Sequence, residues 1–402
     1  MKKNPFHVAI VGSGPAALMA ADIISASGFD VSIFEKRNSL GRKLLIAGSS
    51  GLNVTYDMPL KDFHKKYSGD ELFWKNILSK FTPDDWLKFI HQLGIKTFKG
   101  TSHRYFVEEM KASRLLTHWK ERLTQQNVKY FFNKCCIDFQ KNPNGEITLF
   151  FDDGTQFAFM AVVFCLGGAS WELVHEPVQW PKMFIQKKLE LTPFSPSNVG
   201  FSVDFSPEFL KEAEGLPLKN VVLKSSKGSL QGDLVVTSYG LEGTPIYAIG
   251  AKETVYLDLK PDLSEEQIIK KLTKTKENLN PIRRIKKHLK LSPASLALLF
   301  HQSLEIDPKD LNQWVHRIKN FPIQFHERQG LQWAISSAGG IKLSEINFDL
   351  ELKKFPGVFV AGEMLDWDTV TGGFLIQACV SQGFCSGQGV LTYLKNLRQK
   401  PK

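Results

Sequence analysis

A glycine-rich turn near the start of the chain has residue types and spacing suited to binding a pyrophosphate. Gly12, Gly14 and Ala17 follow a short apolar segment and open a segment rich in alanine and leucine. The first glycine permits a tight turn, the second lets the backbone approach a phosphate, and the small third residue allows close helix–strand packing. Glu35 closes the next apolar segment, where an acid binds a ribose hydroxyl. The pattern predicts a dinucleotide site; a turn made for packing alone is the alternative.

Two later strand-like segments also end in glycine. Residues 161–168 finish in a glycine pair, and residues 358–363 place an acid after Gly362. Residues 371–378 offer a helix start behind two glycines, whose exposed N–H groups can stabilise negative charge on a bound group. A helix that begins there for packing alone is again the alternative. This layout resembles that of two-dinucleotide-fold flavoproteins, in which the late glycine–acid element contacts FAD and the following helix faces the flavin pyrimidine ring.

Four segments resemble one family of bacterial flavoproteins. They are GRKLLIAGSSGLNVT (41–55), LGGASW (166–171), ISSAGGI (335–341) and AGEMLDWDTVTGGFLIQA (361–378). Together they are similar to the aminoacetone oxidase-like, NAD(P)/FAD-dependent oxidoreductase family, over nearly the whole chain. The better-known branch carries Arg-Cys before the asparagine, where this chain has Gly51-Leu52 before Asn53, so it resembles a less characterised branch. The resemblance therefore implies FAD and redox chemistry but does not name the substrate.

The predicted FAD-binding residues combine the glycine turn with positions that the resemblance implies. Stretch 41–55 is too glycine-rich for a stable helix and too short for a core strand, so it predicts a loop. The resemblance places Arg42 and Lys43 near the FAD phosphates and ribose, and residues 48–53 along the flavin; cations suit a pyrophosphate, and glycines let backbone meet a flat ring. The predicted set is Gly12, Gly14, Pro15, Ala16, Glu35, Lys36, Arg42, Lys43, Gly48, Asn53, Gly167, Gly362, Glu363, Thr371, Gly372, Gly373 and Phe374.

A flavin would carry out the redox step itself, so the protein would need to supply only a few side chains that transfer protons. Asp366 directly precedes the flavin-facing glycines and is the preferred catalytic candidate, with His103 as a second. A role in a surface loop is the alternative for each. Residues 326–328, His-Glu-Arg, lie where a predicted insertion ends, which suits either a substrate side or a hinge.

The elements that must position these residues predict an α/β fold. The 402 residues are 43% hydrophobic and 23% charged, as in globular proteins with a large core. A βαβ unit opens the chain, and helices at 83–92 and 111–125 and strands at 147–151 and 157–166 follow. We predict a two-dinucleotide-fold FAD-binding domain split in sequence (1–189 and 329–402), a small β-rich insertion (190–260) and a helical domain (261–328) that starts with a capping box at Ser264.

The charge and the cysteine content of the chain limit which binding partners and which cellular compartment can be predicted. The net charge of +10 would attract an anionic partner, but the positive residues are concentrated only in 277–291, which a solvated helix face explains as well. No apolar run approaches the roughly 20 residues of a membrane span. The start of the chain predicts a first strand rather than a signal peptide, and five cysteines include no Cys-x-x-Cys pair. We therefore expect a cytoplasmic protein with buried thiols, no metal site and no membrane partner. A nucleic acid partner is less favoured than a small-molecule substrate. The sequence leaves the oligomeric state open.

Three functions are consistent with the sequence. The favoured one is an FAD-dependent oxidoreductase that oxidises a small amine or reduces an unsaturated small molecule. The second is a flavoprotein that acts on RNA through its basic insertion, and the third is a non-catalytic flavin-binding protein. NAD(P)H, if it is used, is expected as a transient electron donor, because the chain has one complete Gly-x-Gly-x-x-Gly/Ala pattern and FAD would need it.

Overall fold

The computed structural model describes residues 6–48, 51–100, 102–171, 177–274, 280–303 and 305–399. The chain forms two units, each with its own hydrophobic cluster. The core unit comprises Met1–Ser195 and Ser336–Lys402, and the inserted unit comprises Pro196–Ile335. Among the described helices none combines the length and the apolar character that spanning a bilayer would require.

The first part of the core unit alternates strands and helices. Two of its helices begin as the sequence predicts, because local caps specify them: Pro15 and Pro83 occupy first-turn positions, and Thr82 forms a capping box with Asp85. The elements are β1 His7–Val11, α1 Pro15–Ala26, β2 Asp30–Glu35, α2 Arg42–Ala47, β3 Asn53–Tyr56, α3 Leu60–Phe63, α4 Glu71–Lys80, α5 Pro83–Gln92, β4 Thr97–Lys99, β5 Arg104–Val107, α6 Ala112–Gln125, β6 Lys129–Phe132, β7 Cys136–Lys141, β8 Ile147–Phe151, β9 Gln156–Phe159, β10 Ala161–Phe164, α7 Trp180–Gln186 and β11 Leu191–Pro196.

The inserted unit is an antiparallel sheet covered by helices, and the last elements return to the core unit. Ser264 forms the predicted capping box with Gln267. The elements of the inserted unit are β12 Phe201–Ser202, α8 Pro207–Ala213, β13 Pro217–Ser225, β14 Gly228–Thr237, β15 Gly240–Glu242, α9 Thr244–Ile249, β16 Thr254–Asp258, α10 Glu265–Thr273, α11 Pro281–His288, α12 Pro293–His301, α13 Leu311–Lys319 and β17 Phe321–Gln324. Those that follow in the core unit are β18 Ser337–Ile341, β19 Val358–Val360 and α14 Phe374–Gln399.

A five-stranded parallel sheet forms the centre of the core unit. Its strand order is β19-β10-β1-β2-β6, and Ile10 of β1 is paired with Val163 on one side and Ile33 on the other. Its three neighbouring strands β19, β10 and, from Val8 onward, β1 are apolar and buried, as expected when both faces of a sheet are covered. Helices α1 and α14 pack closely against each other: a Cβ at Gly383 of α14 would lie 2.3 Å from the carbonyl oxygen of Ala16. The α/β fold class is thus confirmed.

Segment 157–166, predicted as one strand, forms two. Strand β9 pairs antiparallel with β8 in a three-stranded sheet, whereas β10 runs parallel to β1 in the central sheet. One straight strand cannot serve both sheets, so the chain bends at Met160, whose N–H donates to the carbonyl oxygen of His7 over 3.0 Å. The prediction failed because both halves are apolar and nothing in the local pattern marks the bend.

Stretch 41–55, predicted as a loop, contains the helix α2. The six residues Arg42–Ala47 include no glycine and no β-branched residue except Ile46, and Gly41 and Gly48 flank them as caps. So short a helix is not stable alone, but Leu44 is buried and α2 packs against α6. The loop prediction was wrong because it weighed the flanking glycines and could not include this tertiary contact.

The inserted unit has one core to which both its sheet and its helices contribute. The sheet order is β12-β15-β14-β13-β16-β17, so its strands come from both ends of the inserted segment. Leu223 and Leu257 of the sheet share a buried cluster with Ile268 of α10 and Leu298 of α12. In the core unit the predicted burial of thiols is confirmed for Cys136, Cys165, Cys379 and Cys385, whereas Cys135 is half-buried. Desolvation raises the pKa of Cys165 and Cys379.

Candidate functional site

The carboxyl ends of four neighbouring parallel strands bring the predicted cofactor residues to one edge of the central sheet. Strands β19, β10, β1 and β2 lie side by side, so the segments that follow them leave the sheet at the same edge. Gly362 follows β19, Gly167 follows β10, Gly12 follows β1, and Glu35 ends β2. In open α/β sheets nucleotides bind at such an edge, beside the strand where the connections diverge.

The turn after β1 is built so that only glycine fits at its first position. Gly12 has a φ of 107°, and a Cβ there would lie 2.1 Å from the carbonyl oxygen of Cys165. Gly14 is the N-cap of α1 and has no side-chain cap, and a Cβ there would meet nothing within 4 Å. Pro15 has no N–H to contribute, whereas the N–H of buried Ala16 belongs to the first turn, which has no intrahelical acceptors. The start of α1 therefore presents N–H groups beside open space.

Glu35 is held in place by neighbouring protein groups. One of its carboxylate oxygens accepts a hydrogen bond from the N–H of Arg37 over 2.9 Å, and the other accepts one from the Ser13 hydroxyl. The Ser13 oxygen in turn accepts from the N–H of Gly41 over 3.1 Å. Ser13 thus connects the glycine turn, the end of β2 and the start of α2. A carboxylate offers about four lone-pair sites, so Glu35 retains capacity to accept from a ribose hydroxyl.

The two cations of helix α2, Arg42 and Lys43, lie in different surroundings. Lys43 donates from Nζ to the carbonyl oxygen of Gly168 over 2.7 Å, which ties α2 to the segment after β10. Arg42 and Lys36 are exposed. Gly48 is buried, and a Cβ there would lie 2.4 Å from the Cβ of Ala112. The structure therefore assigns Gly48 a packing role against α6.

The carboxylate of Glu363 joins three segments. It accepts from the N–H and the hydroxyl of Ser337, over 2.9 and 3.3 Å, and also from the backbone N–H of Gly168. Burial raises the pKa of Glu363, while the ammonium of Lys43 and these hydrogen bonds oppose the rise. A Cβ at Gly168 would lie 2.2 Å from the Ser337 hydroxyl, whereas one at Gly167 would meet nothing within 4 Å. Glu363 thus positions the glycine pair, and Gly167 borders open space.

The start of α14 approaches strand β3. Gly372 and Gly373 have φ angles of 125° and 94°, and a Cβ at Gly373 would lie 2.6 Å from the backbone nitrogen of Thr55. Thr371, half-buried, comes just before them. Phe374, the first residue of the helix, stacks on the ring of Tyr56 with the centroids 5.1 Å apart. The glycines allow this close approach, so the positive end of a 26-residue helix lies against β3.

Several buried polar atoms near these elements have no partner. Within the described residues, Asn53 Oδ1 and Thr55 Oγ1 on β3 form no hydrogen bond, and neither does Gln377 Oε1 on the first turns of α14. Unpaired buried acceptors are rare in folded proteins and usually face a ligand or water. With the uncapped start of α1, the open space at Gly14 and Gly167, and the carboxylate of Glu35, they fit the donors and acceptors of a flavin dinucleotide.

The two catalytic candidates lie in different surroundings. Asp366 is half-buried, and its Oδ2 accepts from the hydroxyl of Thr192 over 2.5 Å. The side chain of His103 is 64% exposed, and its Nδ1 lies 3.7 Å from Asp57 Oδ2, a carboxylate that also pairs with Lys99. Among the described residues, no hydrogen bond or salt bridge joins either candidate to the glycine turn. Asp366 is thus the more enclosed of the two side chains.

Sequence reasoning missed two positions at this edge and underused a third. Ser13 and Ser337 carry the hydrogen bonds to Glu35 and Glu363, yet serine is common in glycine-rich turns and gave no distinct signal. The third is Arg104, the neighbour of His103 in the sequence, whose Nε lies 3.5 Å from the position that a Cβ of Gly372 would take. Residues 326–328 belong to the inserted unit, where His326 pairs with Asp204 over 2.9 Å.

The fold and this edge define a class of protein: a Rossmann-type flavoprotein oxidoreductase, and hence an enzyme. The chain belongs to the HI0933-like protein Rossmann domain family, whose model matches residues 6–389. The family resemblance found in the sequence is therefore confirmed at the level of flavin-dependent oxidoreductases. The narrower assignment to aminoacetone oxidase-like proteins is not supported by the relatives described next.

Two relatives match the chain over almost its full length. A 3-dehydro-bile acid delta(4,6)-reductase of Clostridium scindens is 24% identical, and the match covers 95% of this chain and 98% of that protein. A ribosomal RNA dihydrouridine synthase of Escherichia coli is 22% identical, with coverage of 96% and 98%.

Solved structures of steroid-transforming enzymes share the fold. A 3-ketosteroid-delta4-(5alpha)-dehydrogenase from Rhodococcus jostii RHA1 aligns with a TM-score of 0.54 at 13% identity, covering 97% of this chain and 98% of that one. A 3-ketosteroid delta1-dehydrogenase from Sterolibacterium denitrificans aligns with a TM-score of 0.52 at 11% identity, covering 96% and 99%. At these identities the likeness demonstrates a common fold.

Proposed function

We propose that the protein binds FAD at the carboxyl edge of the central sheet and uses it to reduce a carbon–carbon double bond conjugated to a carbonyl group. The observation that carries the proposal is the convergence of four strand ends, each with a predicted cofactor residue, on one edge. The start of α1 would bind the pyrophosphate through its free N–H groups. Glu35 would accept from a ribose hydroxyl, with Lys36 and Arg42 along the dinucleotide.

Bound FAD would supply two-electron chemistry, so that the substrate gains a hydride at the carbon β to its carbonyl and a proton at the α carbon. The chain's own contribution is electrostatic and geometric. The start of α14, with its two glycines, would place positive partial charge where a reduced flavin carries negative charge. Glu363 would hold the glycines after β10 in place, and Asp366 would hold or deliver the proton.

The reactions of the two relatives support the choice of reduction over amine oxidation. A delta(4,6)-reductase and a dihydrouridine synthase both reduce carbon–carbon double bonds, although one acts on a bile acid and the other on ribosomal RNA. What the two reactions have in common is the reduction, so we propose this chemistry for the chain and a small unsaturated molecule as its substrate.

An RNA substrate is the second candidate, and one feature of the inserted unit favours it. Helix α11 carries Arg283, Arg284, Lys286 and Lys287 within eight residues. Such a concentration of positive charge can bind phosphates along a nucleic acid backbone. RNA bound in this way would have to present a uridine to the flavin if the reaction is to match that of the synthase.

One experiment distinguishes these possibilities. The flavin of the purified protein is identified by acid release and chromatography, then reduced chemically without oxygen and mixed with a cyclic enone, with a steroid dienone or with ribosomal RNA fragments. Rapid reoxidation by an enone or dienone, with the saturated product recovered, is the expected outcome. Reoxidation by RNA alone would favour the second candidate. FMN in place of FAD, or an oxidised enzyme that is reduced by amines and then yields peroxide with oxygen, would refute the proposal.

A further inference from the structure

A small basic cavity lies within the inserted unit and is formed by none of the residues assigned above. Its volume is about 210 Å³, and its polar lining consists of Lys219, Asn220, Lys260, Asp262, Lys290 and Ser292. Ligand pockets for whole drug-sized molecules or cofactors begin at roughly 300 Å³. The cavity is therefore of a size for one small polar group and its water.

Three separate chain segments contribute one lysine each. Lys219 lies in an irregularity of β13, where the pairing with β14 shifts register between Leu218 and Val221. Lys260 follows β16, and Lys290 is the second residue after α11. A bulge in a strand re-aims the side chains it contains, and bulges are common beside functional sites. The three lysines, which are far apart in the sequence, thus line one cavity because of the tertiary fold.

The backbone at this cavity is held in an unfavourable conformation at two points. Asn220 and Lys290 have φ angles of 54° and 50°, and they are the two non-glycine residues with positive φ within the described residues of the inserted unit. Glycine is the usual residue at the position of Lys290, directly after the cap of a helix. A lysine there carries backbone strain, but it adds a cation to the cavity. Strained residues of this kind concentrate at binding and catalytic sites.

The net positive charge of the side chains that line the cavity matches the charge of an anion with two negative charges. Lys260 pairs with Asp262 over 3.1 Å, whereas Lys219 and Lys290 form no salt bridge with any described residue. The lining therefore has a net charge of about two positive units. A phosphate monoester carries roughly −1.5 to −2 charges at neutral pH, and lysines bind phosphates as point charges. Ser292, the N-cap of α12, brings the positive end of that helix to the same cavity.

We propose that this cavity binds a phosphoryl oxyanion. The group would come either from a small phosphate monoester or from the backbone of a nucleic acid, since both present negatively charged phosphoryl oxygens; the nearly doubly charged monoester matches the net charge of the lining more closely. The inference goes beyond the proposed redox function and needs no turnover for its test, so the failure of one would leave the other standing.

The test measures binding of inorganic phosphate to the flavin-loaded full-length protein by calorimetry, in a buffer without other oxyanions. Wild type should bind one phosphate saturably. The double variant Lys219→Ala/Lys290→Gly should bind it at least tenfold more weakly. Lys290→Gly alone should already weaken binding, and because glycine relieves the strained backbone, this variant should fold with an unchanged flavin content. The matched control Lys270→Ala removes the same charge from exposed α10 and should bind phosphate as wild type does.

Two outcomes would overturn the proposal: no saturable phosphate binding to wild type, or an equal loss in Lys270→Ala, which would mean that net charge alone attracts the anion. A competition experiment identifies the source of the group. If a single-stranded oligonucleotide displaces phosphate from wild type and binds more weakly to the double variant, the natural group is a phosphodiester. If phenyl phosphate displaces it and the oligonucleotide does not, the natural group is a monoester.

Discussion

The carboxylate of Glu363 accepts a hydrogen bond from the backbone N–H of Ser337 over 2.9 Å. Glu363 follows the last strand of the central sheet, and Ser337 begins β18. The Ser337 hydroxyl also accepts from the N–H of Ala169 over 2.9 Å, so the pair fixes the segment after β10 as well. A buried acidic side chain here organises the edge of the sheet at which FAD is proposed to bind.

Replacement of Glu363 by glutamine is expected to preserve the structure and to change its pH dependence. The folded pKa of Glu363 is raised above its ordinary value of 4.5, chiefly by desolvation. Its contribution to stability is therefore fully present below pH 4.5 and is lost as the pH rises through the raised pKa. Glu363→Gln cannot lose a proton, so the free energy of unfolding of the flavin-free variant should fall less than that of wild type over this window.

The companion variant Glu363→Ala separates hydrogen bonding from charge. It leaves the N–H of Ser337 unsatisfied, which should cost about 1–3 kcal/mol of stability at any pH. Thermal unfolding of the three flavin-free proteins from pH 4 upward provides the measurement. A glutamine variant with the same pH slope as wild type would show that Glu363 does not titrate there.

Gly14→Glu is expected to abolish FAD binding without unfolding the chain. A side chain at this position meets open space, and the backbone φ of −77° suits any residue. A carboxylate about 4 Å from a phosphate would cost roughly 4 kcal/mol, or about a thousandfold in affinity. Flavin content and the thermal midpoint of the flavin-free protein are the measurements, with Gly14→Ala as the control for side-chain bulk. Full FAD content in Gly14→Glu would contradict the phosphate assignment.

Asp366→Asn is expected to retain FAD and to lower turnover by about a hundredfold or more, which is the usual contribution of a proton-transfer group. Thr192→Val, which removes the hydroxyl that donates to Asp366, should shift the pH profile of turnover while leaving more activity. His103→Gln serves as the comparison, because His103 is largely exposed and pairs with Asp57 at the surface. If turnover is unchanged in Asp366→Asn and lost in His103→Gln, the order of the two candidates is reversed.

NADH or NADPH should reduce the oxidised flavin slowly or with weak saturation. The sequence holds one complete glycine fingerprint, at Gly12 and Gly14, and FAD would occupy it. Anaerobic rapid mixing with increasing nicotinamide, followed at the flavin absorbance, is the measurement. Fast bleaching that saturates tightly with one of the two nucleotides would reveal a dedicated second nucleotide site.

Features with local causes were predictable from the sequence. The turn at Gly12, the capped starts of α5 and α10, and the acid at the end of β2 each depend on residues within a few positions of one another. Such interactions leave a pattern in one short window. They were sufficient for the α/β fold class and for the glycine turn with its acid, whereas the family resemblance implied the other positions that we propose to bind FAD.

Features with distant causes were not predictable. The helix α2 depends on burial against α6, and the bend at Met160 depends on which sheet each half of the segment joins. The hydrogen bond between Glu363 and Ser337 spans 26 positions and that between Lys43 and Gly168 spans 125, so no local pattern reports them.

The sequence and the tertiary structure likewise decided different parts of the function. The sequence by itself predicted a dinucleotide site, because glycines and an acid at set spacings have few other uses, and its resemblance to a flavoprotein family implied FAD. Only the tertiary structure decided that Lys219 and Lys290, which are 71 positions apart, line one cavity while Lys270 does not. These two lysines can act on one anion only because folding brings them together, since Coulomb interactions between groups beyond about 10 Å are screened in salt solution.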